Sequence, residues 1–302
     1  MTKEPVLATK TLAAIDATMK ADQGVSFRGW LGKVVPHMSD AFNEKKESNR
    51  GHLGASLIGR ECERQLWYGF RWATASSYDG RMLRLFNRGH LEEARFIAML
   101  LMIGCQVYQQ DEQGKQFRIS DADGHFGGSC DGVCVGCPDL PEGKACLTEF
   151  KTHNDNSFKK LKMKGVIEAK PEHYIQMCIY MQKMGLDTAL YMAVNKNDDE
   201  LYAELVTLNP QLADEYLARG RKIIYLKQAP ARISDSPGFY LCRMCPHLDV
   251  CQMREDPDLN CRTCRFGVPI TEGRWVCRET GEILDRDMQR NGCTDYCPNG
   301  EF

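Results

Sequence analysis

The chain predicts an α/β fold, a mixed central sheet flanked by helices. Three observations predict it. A helical apolar pattern covers about residues 81–103. Extended segments follow near 105–110, 115–120, 126–136 and 145–151. A helix around Gln176 then precedes paired extended runs at 189–194 and 201–206.

In chain order, residues 1–50 read as helical and polar, with modest apolar faces at 14–19 and 30–35, and 43–50 read as an exposed link. Ser56 is placed to cap the helix that bears Cys62, its hydroxyl accepting from an unpaired first-turn N–H. Gly127 and Gly128 allow close backbone approach in the strand 126–136, and 138–143 form the turn into 145–151. The polar stretch 195–200 closes a hairpin, a helix at about 210–227 follows, and the tail is rich in cysteine. There is no internal repeat or low-complexity run.

With 302 residues, 43% hydrophobic and 26% charged, the chain is long enough for one substantial core and a metal-stapled appendage. A net charge of −2 excludes a general polyanion sponge, so nucleic-acid contact has to come from local patches. No apolar run reaches the roughly 18–20 residues that span a bilayer. Residues 1–5 lack a charged-then-apolar signal pattern, and fifteen cysteines in short metal-type spacings point to reduced thiols, so a cytoplasmic setting is expected.

Chemistry concentrates at Asp131 and at Glu149-Phe150-Lys151. On a strand, Glu149 and Lys151 share one face while Phe150 points into the core. Asp131, on the preceding strand, faces Glu149 across the hairpin. Two such carboxylates can hold a hard divalent cation through oxygen, and the lysine can orient or deprotonate water. Taken alone the pattern also describes a solvated strand face. Lys159, Lys160, Lys162 and Lys164 follow directly and are candidates for phosphate contacts. Arg60 and Arg64 crowd an upstream segment, with Arg71, Arg81, Arg84 and Arg88, where Trp67, Tyr68 and Trp72 are candidates for base stacking. Solvated helix faces and ordinary core aromatics explain each singly.

The cysteines form spaced groups. Cys242, Cys245 and Cys251 make Cys-x2-Cys-x5-Cys, and with the distant Cys62 they can close a four-cysteine iron–sulfur site, or hold zinc. Cys261-x2-Cys264, Cys277, Cys293 and Cys297 offer five candidates for the four places of a zinc knuckle. Cys105, Cys130, Cys134, Cys137, Cys146 and Cys178 read as small buried hydrophobes; a third metal site from Cys130, Cys134, Cys137 and Cys146 is the alternative.

In order along the chain, Gly89 with Glu93, Asp131, Glu149-x-Lys151, Gln176-x3-Tyr180 and the Cys62/Cys242/Cys245/Cys251 set resemble the RecB-type and phage-exonuclease branch of the PD-(D/E)XK nuclease superfamily. The resemblance covers roughly residues 50–255 and implies a restriction-endonuclease-like core. It makes Glu93 the first metal ligand, with Glu92 and His90 as neighbouring alternatives. Glutamate there is more like the phage exonucleases than the iron–sulfur members, which place histidine. It puts Gln176 and Tyr180 beside the active site, and it makes the first cysteine set an iron–sulfur staple. Similar phage-nuclease tails favour Cys293 over Cys297 as the closing zinc ligand.

The implied domains are a helical segment 1–50, a nuclease core 51–255 and a knuckle 256–302. The implied activity is Mg²⁺- or Mn²⁺-dependent exonucleolytic hydrolysis of DNA phosphodiesters, in recombination, replication or repair, with a recombination or helicase partner. Glu93, Asp131 and Glu149 then hold the ion, the 148–150 backbone completes its shell, and Lys151 orients water. The alternatives are a structure-specific endonuclease, a non-catalytic iron–sulfur DNA-binding protein, and an iron–sulfur redox protein.

Overall fold

The computed structural model describes residues 4–43, 49–75 and 77–299, so residues 44–48 of the expected link lie outside the described residues. The chain forms two compact units that interleave along the sequence. The first unit draws on Met1–Lys46, Tyr78–Ile119 and Ser129–Ala213, and the second on Glu47–Ser77, Ser120–Gly128 and Asp214–Phe302. These segments do not follow the expected divisions at residues 50 and 255.

In the first unit β1 (Val6–Leu7) leads into α1 (Thr9–Asp22) and α2 (Val25–Val34). Two residues of β1 pair with a strand far downstream, which no local pattern announces. In the second unit β2 (Leu53–Gly54) precedes α3 (Glu63–Phe70). Ser56 lies outside that helix; Cys62 is its N-cap, its sulfur accepting from Gln65 N at 3.4 Å, because the turn 55–59 delays the helix start. The first unit resumes with α4 (Gly80–Met102), whose start is capped by Asp79 accepting from Met82 N at 2.7 Å.

The strands that follow are β3 (Gln106–Tyr108), β4 (Arg118–Asp121), β5 (Phe126–Ser129), β6 (Gly132–Val135) and β7 (Ala145–His153). The single strand expected over 126–136 is therefore broken at Cys130 and Asp131. β5 belongs to the β2-β5-β4 sheet and β6 to the main sheet, so the break is where the chain changes sheets; just after it, a Cβ on Gly132 would stand 2.9 Å from the Tyr108 carbonyl oxygen. Helices α5 (Asp155–Ala169) and α6 (Pro171–Met184) then carry the chain to β8 (Thr188–Asn195) and β9 (Leu201–Thr207).

The main sheet runs in the order β1-β9-β8-β7-β6-β3. β6 and β7 are antiparallel, with Gly132 opposite Thr148 and Cys134 opposite Cys146. β7 and β8 are parallel, which requires the long α5–α6 crossover between them, whereas β8 and β9 form the expected hairpin. β8 is buried along its whole length, as a central strand covered on both faces should be. This is the mixed α/β architecture expected, and it includes residues of the 1–50 segment through β1, α1 and α2.

Helix α4 packs on β7 through Phe96 and Phe150, whose rings stack at 5.0 Å between centroids and 13° between planes. Phe150 thus points inward, as its neighbours Glu149 and Lys151 require. Cys105, Cys134, Cys137 and Cys146 lie in this core among aliphatic side chains.

α7 (Pro210–Tyr225) leads into the remainder of the second unit: α8 (Tyr240–Arg243), α9 (Leu248–Gln252), strands β10 (Gly267–Pro269), β11 (Trp275–Cys277) and β12 (Ile283–Leu284), and α10 (Arg286–Asn291). There Trp67, Tyr68 and Trp72 are 0–2% exposed, which overturns their expected role as base-stacking platforms. The buried Arg262 guanidinium lies 3.8 Å from the Trp72 ring centroid and 4.6 Å from that of Trp275, and Arg71 lies 5.2 Å from that of Trp67, so both expected tryptophans are occupied by cations of their own chain. Among the described residues no helix is long and apolar enough to cross a membrane.

Because Phe96 is fully buried and joins α4 to β7, Phe96→Ala is expected to cost about 3–5 kcal/mol of stability. Urea denaturation of the variant beside its parent measures this.

Candidate active site

The first unit gathers its ionisable groups around β7. Glu149 is 0% exposed, and strand alternation puts it on one face with Lys151 and His153. Lys151 Nζ is ion-paired to Glu149 Oε1. Gln176 Nε2 donates to Glu149 Oε2 at 3.3 Å, so α6 reaches the same carboxylate from the other side. Tyr180, one turn on, is buried, with 2% of its surface exposed.

Asp131 sits at the strand break, one residue before the Gly132–Thr148 register pair, and its Oδ2 accepts from Phe150 N at 2.7 Å. The break thus turns the Asp131 carboxylate toward β7. From α4, Glu93 joins the group: burial first, then the charge of Asp131, pushes its carboxyl up to about 8, while Lys151 opposes the shift. Burial likewise pushes Glu149 up to about 7, against the pull of Lys151 and with the push of Asp131. Burial disfavours the Lys151 ammonium, yet the carboxylates around it, Glu149 foremost, hold it net above the usual lysine range.

Glu92, the neighbouring alternative, is buried elsewhere on the helix and pairs with Arg95 at 3.3 Å. His90 is half-buried one turn earlier. Hydrogen bonds and an ion pair thus bring Asp131, Glu149, Lys151 and Gln176 together around β7, and Glu93 lies close enough for the charges of Asp131, Lys151 and Glu149 to act on it.

Sequence reasoning passed over a further set. His153 Nε2 lies 2.9 Å from the Tyr191 hydroxyl, and His173 Nδ1 lies 3.0 Å from that same hydroxyl. Burial, with Lys170 and Lys151 nearby, lowers His153 to about 4, and burial with Lys151 lowers His173 to about 2, so both rings are neutral. A period-two reading of β7 from Glu149 to His153, and the spacing of His173 ahead of Gln176 on α6, were the available signals.

The surface candidates are divided. Lys159 is ion-paired to Asp155 and Lys162 to Glu200, whereas Lys160 and Lys164 are exposed. Arg60 is exposed. Arg64 is tied into the second unit, donating to the Tyr68 hydroxyl at 2.9 Å and to the Pro230 carbonyl at 2.7 Å.

Within the second unit, Cys62, Cys242, Cys245 and Cys251 line one small cavity of about 20 Å³. Cys261 is pushed up to about 11 by burial and then by the nearby Cys293, Cys264 and Cys277. In the first unit the Cys105 thiol donates to the Gly136 carbonyl at 3.4 Å and the Cys146 thiol to the Cys134 carbonyl at 3.6 Å. Cys130 instead lies by Asp131 and Glu149, apart from the grouping considered with Cys134, Cys137 and Cys146. Among the described residues no three His, Cys, Asp or Glu side chains stand close enough to hold an ion as placed.

No protein-family model matches the chain, and no curated protein matches it. Among solved structures, LHK-Exo in complex with dAMP is 17% identical over 57% of this chain and 86% of its own, with a TM-score of 0.38. The alkaline exonuclease LHK-Exo from Laribacter hongkongensis gives 16% identity over 58% and 87%, with a TM-score of 0.39. A protein called SSO0001 gives 16% over 77% and 98%, also at 0.39. Likenesses this weak assign neither activity nor residue roles.

The raised Glu93 pKa has a signed consequence for stability. Its folded value, about 8, exceeds the ordinary 4.5, so its contribution is fully present below pH 4.5 and is lost as pH rises through about 8. Without added divalent cation, Glu93→Gln is expected to match its parent near pH 4.5 and to become the more stable of the two by pH 8.5. Urea midpoints across that range check it.

Proposed function

We propose that this chain is a metal-dependent deoxyribonuclease acting at the ends of linear DNA. The observation that carries the reading is the buried Glu149 carboxylate held between Lys151 and Gln176, with Asp131 bound to the adjoining β7 backbone and Glu93 within reach of their charge.

The donor chemistry suits a divalent cation, which would have to draw the carboxylates inward, because among the described residues no three stand within one ion's reach. Three hard carboxylates face one ammonium, and both glutamates are held above their ordinary range by burial and mutual repulsion, which is relieved by added positive charge. Glu93, Asp131 and Glu149, with backbone of residues 148–150, are the groups that would hold Mg²⁺ or Mn²⁺. Such an ion, when bound, supplies Lewis-acid polarisation of the scissile phosphate.

The chain's own residues do the rest. Lys151 Nζ, on the half-buried residue of that strand face, orients the attacking water. Gln176 fixes the Glu149 carboxylate through its amide, and Tyr180 lies buried one turn on along α6. The backbone N–H of Phe150 fixes Asp131. Exposed Lys160 and Lys164 on α5, and Arg60, are the available partners for DNA phosphates.

For Cys62, Cys242, Cys245 and Cys251, four thiols around a shared cavity suit a 4Fe–4S cluster, with zinc as the alternative occupant. Cys261, Cys264, Cys277 and Cys293 suit zinc, because Cys293 is among the thiols that act on Cys261. Both groups are structural in this reading. Processing of DNA ends for recombination, replication or repair in the cytoplasm, beside a recombination or helicase partner, is the corresponding biological role.

Lys151→Ala and Asp131→Asn are each expected to abolish Mg²⁺-dependent degradation of end-labelled linear DNA while closed circular DNA survives the parent enzyme. Activity retained by both variants rejects the reading, and rapid cutting of circles makes the protein an endonuclease. Anaerobic reconstitution with iron and sulfide is expected to give visible absorption that Cys245→Ser removes; a colourless parent holding only zinc excludes the iron–sulfur cluster.

A further inference from the structure

The row of side chains on β7 and the row on α6 meet twice. Gln176 meets Glu149 directly, and His173, one turn earlier on α6, meets His153 through the Tyr191 hydroxyl between them. Lys151 stands between Glu149 and His153 on β7, and its charge acts on the His173 ring. His173 is half-buried and stacks on Tyr191, with centroids 5.9 Å apart and planes 28° apart. The ring therefore has a fixed orientation, and the residue keeps part of its surface exposed.

The relay also restricts protons. A phenol has one proton, so Tyr191 donates to one imidazole and accepts from the other. His153 Nδ1 lies 2.9 Å from the Ser157 hydroxyl, which supplies a donor for that nitrogen. With Ser157 donating to His153 Nδ1, His153 carries its proton on Nε2 and gives it to the Tyr191 oxygen. Tyr191 then donates to His173 Nδ1, which leaves the His173 proton on Nε2.

We infer that His173 Nε2–H is a substrate-binding donor, directed at a phosphate oxygen of the DNA strand beside Lys151, with Tyr191 and His153 as positioning residues that set its tautomer. The inference rests on the nuclease reading for the identity of the strand. A neutral imidazole suits this place: it adds a directed donor without a second cation beside the Lys151 ammonium.

The test is kinetic and spectroscopic. Glutamine carries an amide nitrogen near the position of imidazole Nε2, and asparagine carries one near Nδ1. His173→Ala is expected to raise KM for linear DNA about tenfold with kcat within about twofold, the scale of one hydrogen bond to a charged group. His173→Gln is expected to restore most of the loss and His173→Asn little of it. Equal behaviour of Gln and Asn, or an unchanged KM in the Ala variant, overturns the inference.

A readout independent of cleavage uses ¹⁵N-histidine spectra of the full chain. They are expected to show His173 as the Nε2–H tautomer, to move its Nε2 signal on adding thymidine 5′-monophosphate, and to lose that tautomer preference in Tyr191→Phe. The Nδ1–H tautomer, or a signal indifferent to the monophosphate, overturns the inference. A protein inert toward DNA whose His173 still answers the monophosphate supports this donor and rejects the nuclease reading instead.

Discussion

A carboxylate with no exposed surface, in the middle of a sheet, is the constraint on which the rest of this structure turns. Glu149 is held by the backbone of β7, which is paired on one side to antiparallel β6 and on the other to parallel β8. Taking an ion of that size out of water costs several kcal/mol unless charge or hydrogen bonds replace the lost hydration. The neighbours answer that cost in part. Lys151 supplies charge and Gln176 supplies an amide, but Asp131 and Glu93 add repulsion. The region is left short of positive charge.

A second buried glutamate in the same sheet is met by hydrogen bonds alone, and burial still holds its carboxyl above the ordinary range. Glu204 on β9 accepts from the Tyr202 hydroxyl at 2.6 Å and from Val166 N at 2.8 Å. The Val166 bond joins β9 to α5 beside Gly165, where a side chain would strike Pro5 and where φ is +69°. Glu204 has no companion carboxylates among the groups that shift it, and its role is architectural. The contrast separates a carboxylate that seals a joint from one kept available for chemistry.

Much of this was legible in the residues. Period-two spacing placed Glu149 and Lys151 on one face and Phe150 on the other, and helical spacing placed Gln176 where it reaches Glu149. What stayed hidden depends on contacts distant in sequence. Trp67 and Trp72 looked available beside arginines, yet Arg262, some 190 residues on from Trp72, buries itself against the latter. Cys105 joins Cys134 because β3 pairs with β6, whereas Cys130 falls in the break where the chain passes from the β5 sheet to the β6 sheet. The His153–Tyr191–His173 relay needs β7, β8 and α6 together before it exists. Local pattern finds faces; it does not find which faces meet.

The interleaving of the two units bears on how the chain is made. As it leaves the ribosome, every stretch of the first unit has been synthesised once residue 213 is out, whereas the second still lacks 214–302. Helix α3, with its apolar Trp67 and Phe70, must wait for that last third before it finds its final neighbours. During the wait this apolar surface is a target for chaperones and for aggregation. Truncation near the end of the chain should thus be felt most at its early segment 47–77, far away in sequence.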